Sequence, residues 1–117
     1  MYKNIYKKRI ILIDLDGVLN NYDGNFQENY IPEIKDGALE FLQALAEDYC
    51  LKIFTSRPEF LVKIWLQSNK IDSYISAITN TKEPAFLYID DRCLCFAGDY
   101  KSTLEEIKLF TPWHAKQ

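Results

Sequence analysis

At 117 residues, with 48% hydrophobic and 15% aromatic side chains, the chain has the length of one domain and the material for one packed core. A net charge of −3 and a pI near 5.1 argue against a general attraction to polyanions, so nucleic acid is not an expected partner. Lys7, Lys8 and Arg9 form the only dense basic run, which reads as a solvated approach to a strand.

The first residues lack the apolar stretch of a secretory signal, and Ile10 to Ile13 is too short to span a bilayer, so a cytoplasmic protein without a membrane segment is expected. Cys50, Cys93 and Cys95 make no zinc-type pair of Cys-x-x-Cys motifs, and three is a poor number for a disulfide framework. They are expected to be reduced, with at least two in the core. Cys93 and Cys95 would share a face if their segment is extended.

Ile10, Ile11, Leu12 and Ile13 are a continuous apolar run, as expected of a strand buried on both faces of a parallel sheet. Residues 17–32 are polar and rich in Gly, Asn and Asp, which predicts a loop or short hairpin over the end of that strand. From Asp36, placed to cap a first turn, Ala38, Leu39, Leu42, Ala44, Leu45 and Ala46 recur at helical spacing. Leu51, Ile53 and Phe54 predict a second strand, and Pro58 stands where a helix can begin. Phe60, Leu61, Ile64, Trp65 and Leu66 supply that helix with its expected buried stripe. Ile75 to Ile78 and Ala85 to Ile89 predict strands three and four, the latter ending in Asp90 and Asp91. Ser102 and Glu105 have the spacing of a capping box for a last helix through Leu104, Ile107 and Leu109. Strands alternating with helices predict an α/β layered fold with a mainly parallel sheet.

Four carboxylates follow two buried strands: Asp14 and Asp16 after the first, Asp90 and Asp91 after the fourth. Open α/β sheets bind ligands at the carboxyl ends of their strands where strand order reverses. If strands one and four are neighbours there, the carboxylates converge, and a divalent cation relieves their repulsion. Such oxygen donors suit Mg²⁺ together with a substrate phosphate oxygen. Asp14 and Asp16 point the same way if strand conformation persists, and a carboxylate nucleophile beside a carboxyl acid/base is a workable pair. Gly17 lets the chain turn sharply after them.

The series IDLDGVLN, IFTSR, a lysine and YIDD resembles, in order and over nearly the whole chain, the haloacid dehalogenase-like hydrolase superfamily. The resemblance implies a single Rossmann-like three-layer sandwich over residues 1–117, with Asp14 as nucleophile and Asp16 as general acid/base. It further implies Thr55 as the phosphate-binding hydroxyl, Lys82 as the positive group beside nucleophile and phosphate, and Mg²⁺ on Asp14, Asp90, Asp91 and the Asp16 backbone carbonyl. The second aspartate sides with phosphatases and phosphomutases over halogen-removing members. The expected activity is therefore Mg²⁺-dependent phosphomonoester hydrolysis through an aspartyl-phosphate on Asp14, with a non-catalytic phosphate- or metal-binding module as the alternative.

Lys82 lies only eight residues before Asp90 and has a second reading as an exposed turn residue. Ser56 stands beside the phosphate-binding position or merely caps the turn. Arg57 is either a bidentate phosphate contact or a surface salt bridge. Asn20, Tyr22 and Asp23 either touch substrate or form an ordinary turn, Trp65 fits a core stripe, and His114 reads as a surface residue. About forty residues separate Asp16 from Thr55, and the flap and first helix use them, so no separate cap domain fits. The expected partner is a phosphorylated small molecule or macromolecule, and an open site suits a large substrate such as a phosphorylated macromolecule, or a lid from a second copy in a homo-oligomer.

Overall fold

In the computed structural model, which describes residues 7–115, the apolar run becomes strand β1, Arg9–Asp14. It pairs in parallel with β2, Tyr49–Phe54, on one side and β4, Leu87–Ile89, on the other, while β3, Ile75–Thr79, extends the sheet beyond β2. The strand order is β3-β2-β1-β4, so the fold is an α/β Rossmann-like sandwich on a wholly parallel sheet. Order reverses between β1 and β4, because the chain crosses from one sheet edge to the other after β3.

One face of the sheet is built as the alternation of β2 dictates. Leu51 and Ile53, with Ile11 and Ile13 of β1, are buried against Leu42 of helix α1, Ala38–Asp48, and Val62 and Leu66 of α2, Glu59–Ser68. Each of these side chains is essentially removed from water, a burial that contributes about 1.5–3 kcal/mol per residue. Leu15 and Leu19 drop into the same core just after β1, which anchors the start of the following loop. The predicted stripe of α2 is corrected in part: Val62 and Leu66 are buried, whereas Phe60 and Ile64 are exposed.

The opposite face carries Leu12, Phe54 and Tyr88 and borders a cavity of about 420 Å³ also lined by Lys82, Cys93 and Leu94. The crossing segment 80–86 runs over this face, tied by a Lys52 to Glu83 ion pair of 2.9 Å. Helix α3, Tyr100–Leu109, lies beside Cys93 and Leu94 and leaves Leu104 and Ile107 exposed. Cys93 and Cys95 are exposed, against the expectation of core cysteines, and all three thiols are free. The segment that carries them is irregular and forms no further strand.

Two caps differ from expectation. Helix α1 starts after Gly37, whose φ of 90° sets the turn, and Asp36 makes no capping bond. Helix α3 is capped by Asp99, whose carboxylate accepts from the Ser102 backbone N–H at 3.0 Å. An Asp three residues upstream captures the free N–H before Ser102 can act as cap, and the carboxyl is held below its ordinary pKa by these bonds. Among the described residues no helix is long and apolar enough to cross a membrane.

Candidate active site at the end of β1

Strand register places the carboxylates. Asp14 pairs with Phe54, so Thr55 emerges one step beyond it on β2, and Ile13 pairs with Ile89, so Asp90 and Asp91 emerge beside Asp14 on β4. Ligand oxygens of Asp14, Asp90 and Asp91 lie within 4.8 Å of one another. Burial raises the Asp14 pKa to about 8, helped by the nearby charges of Asp90, Asp91 and Asp16. Three hard oxygen donors around concentrated negative charge fit a divalent cation of the Mg²⁺ type.

Thr55 is buried, its N–H donating to the Thr79 carbonyl at 2.9 Å and its hydroxyl accepting from the Arg57 N–H at 3.1 Å. Ser56 is exposed next to it. Lys82 lines the same cavity as Asp14 and Asp90, with its ammonium 5.0 Å from the centre of the Tyr88 ring. A cation over a ring face is held by the quadrupole without being neutralised, so the charge stays available to an anion in the cavity.

Asp16 points elsewhere, and its side chain is not part of the acidic triad. Arg57 grips both its oxygens, Nε to Oδ2 at 2.9 Å and Nη2 to Oδ1 at 3.1 Å. The same guanidinium donates to the Gln27 and Glu28 carbonyls and stacks on Phe26 at 4.5 Å. Arg57 is therefore neither a surface salt bridge nor a free phosphate contact. It is a buried strut fastening Asp16 and the 26–28 turn to the end of β2, and its five donors leave little for a ligand.

Asn20 takes the turn role of its two readings, and His114 and Trp113 gain roles that the sequence does not announce. Asn20 is fully buried, its Oδ1 accepting from the N–H groups of Gly17 and Tyr22, both at 3.1 Å, and its Nδ2 donating to Asp16. An Asn accepting from the backbone two residues on is a local turn signal, so this one was legible in IDLDGVLN. Its replacement by Ala strands two N–H groups and is expected to cost about 3 kcal/mol in urea unfolding. His114 is corrected from surface residue to site residue: its Nε2 is 3.1 Å from Asp91 Oδ2, and the two side chains are only 7% and 3% exposed. Trp113 donates from Nε1 to the Gly17 carbonyl at 2.6 Å. These contacts span 23 and 96 residues of chain, and no local pattern announces them.

Gly17 is required by space as well as by its φ of 90°, since a Cβ there would overlap the Asp91 carboxylate. Gly17→Ala is expected to fold with Asp91 displaced and with a loss of at least about 1 kcal/mol, read by urea unfolding.

A solved structure shares this architecture. It is a conserved protein from Bacteroides thetaiotaomicron, similar over 95% of this chain and 100% of its own, with a TM-score of 0.59 and 22% identity. At that identity the likeness shows the fold alone. No protein-family model and no curated protein sequence matches the chain.

Proposed function

We propose that the chain is a Mg²⁺-dependent phosphomonoester hydrolase of the haloacid dehalogenase-like type, working through an aspartyl-phosphate on Asp14. The observation that carries this reading is the convergence of Asp14, Asp90 and Asp91 at the point where strand order reverses, one register step from Thr55. In the proposal an Asp14 oxygen attacks phosphorus and the ester oxygen leaves, taking a proton from Asp16. Asp16 then takes a proton from water as its oxygen attacks the aspartyl-phosphate, releasing inorganic phosphate and restoring Asp14. The Thr55 hydroxyl and the Lys82 ammonium steady the phosphate oxygens as charge redistributes. Asp14, Asp90, Asp91 and the Asp16 carbonyl would hold the cation, which when bound keeps Asp14 ionised and screens the charge of the phosphate.

The base step suits Asp16 as it stands, held as an acceptor by Arg57. The acid step requires one of the two Arg57 hydrogen bonds to be exchanged for a proton. Because both Asp16 oxygens are occupied, a module that binds metal and phosphate without turnover is the second reading. A reducing, cytoplasmic setting belongs to the same proposal, supported by three free thiols. A lid from a second copy also belongs to it, supported by the lack of a cap domain among the described residues and by the exposed apolar residues of α3.

Phosphate release from a panel of sugar phosphates, nucleoside monophosphates, an aryl phosphate and a phosphoprotein, with Mg²⁺ or with chelator, tests the reading. Release with Mg²⁺ alone is expected. Binding of Mg²⁺ and inorganic phosphate with no release from any member would move the assignment to the binding module, and absence of both would overturn it.

A further inference from the structure

A second assembly at the site is made by the segment that follows α3. Trp113 and His114 return from α3 and dock on the two loops that carry the acidic residues. Trp113 bonds the Gly17 carbonyl, and His114 bonds Asp91. His114 is enclosed while Trp113 stays partly open to solvent: the Tyr22 ring meets His114 edge-on at 5.9 Å, Trp113 meets it edge-on at 5.6 Å, and the Lys35 ammonium sits 4.4 Å from the Trp113 ring centre. The flap, the β1 loop and the β4 loop are thereby joined through one short segment.

His114 Nδ1 is buried without a hydrogen-bond partner. An unpaired buried polar atom costs about 1–3 kcal/mol, whereas an apolar ring would fill the same space without that cost. Its presence is accounted for by the other nitrogen, which donates to Asp91 Oδ2 because the carboxylate can only accept. A carboxylate that binds metal through one oxygen is oriented by what holds the other. We propose that the segment 113–114 is a latch in which His114 acts as a positioning residue, fixing the Asp91 carboxylate for the cation, while Trp113 fixes the Gly17 turn against it. The inference rests on the metal reading above for its consequence, and on the contacts alone for the latch.

Two measurements on the full chain separate those parts. In metal-free protein, hydrogen exchange of residues 17–22 and 90–93 is expected to accelerate about tenfold in His114→Ala and in Trp113→Phe, which keeps the ring and removes the donor. Unchanged exchange in both would overturn the latch. Titration with Mg²⁺ alone is expected to show affinity 10- to 100-fold weaker in His114→Ala and near wild type in His114→Gln, whose amide reaches as Nε2 does. Wild-type affinity in His114→Ala would overturn the positioning role. A wild type that binds no Mg²⁺ would remove the metal reading, and the exchange result would still decide the latch.

Discussion

Asp14→Asn is expected to abolish turnover and, in metal-free protein at pH 8, to stabilise the fold. The first effect follows from the proposed covalent step: an amide is no nucleophile toward phosphorus, so phosphate release should fall by at least about 10⁴-fold with the fold intact. Full activity in the variant would remove the aspartyl-phosphate mechanism. The second effect follows from the site's own electrostatics. The unfolded carboxyl ionises near 3.8, whereas the folded one resists ionisation until about pH 8, chiefly through burial and then through Asp90, Asp91 and Asp16. Between those values the folded state holds the extra proton, so metal-free stability falls as pH rises and the full loss is reached above pH 8.

Asparagine carries no such penalty. The site is partly open to water, which screens the effect to on the order of 2 kcal/mol, about 8 °C in Tm at this chain length. Urea unfolding with chelator at pH 4, 6 and 8 checks it: the advantage of the variant should be absent at pH 4 and largest at pH 8. A difference that does not change with pH would mean that Asp14 is not strained by its neighbours. Mg²⁺ competes with the same proton, so wild-type affinity for it should climb with pH up to about 8 and then level off.

The sheet and the acidic triad were legible because both rest on short, regular patterns. A run such as Ile10 to Ile13 declares a strand buried on two faces, and an aspartate just past such a strand has only one end of the sheet to occupy. Register then does the rest, since a parallel pair puts Asp14 beside Asp90 without further information. What stayed hidden depends on side chains choosing among partners. Asp16 was read with Asp14 by its spacing, yet the chain bends at Gly17 and Asp16 meets Arg57, 41 residues away. The caps of α1 and α3 were misplaced for a related reason, because several polar residues compete for each helix end and geometry selects one. His114 carried no signal at all: a single histidine near a chain end is ordinary until the fold returns it to Asp91.

The second large effect is expected at Arg57. Its side chain is 1% exposed and that of Asp16 18%, so removing the cation leaves a largely buried carboxylate with Asn20 as its remaining side-chain partner. Breaking a buried pair in this way costs about 3–5 kcal/mol, and Arg57→Ala also gives up the bonds to Gln27 and Glu28 and the stacking on Phe26. Lysine should restore little, since one ammonium cannot make the forked contact to Asp16 while also reaching the turn carbonyls. Arg57→Ala with Asp16→Ala completes a double-mutant cycle, in which a coupling of at least about 2 kcal/mol is expected from denaturant unfolding. A loss below about 1 kcal/mol in Arg57→Ala would mean that the pair is only a surface contact. The cost has a functional side as well. Arg57 bonds both the Thr55 hydroxyl, through its N–H, and the Asp16 carboxylate, through its guanidinium, so one residue ties together the two groups to which the proposed reaction gives phosphate binding and acid/base transfer.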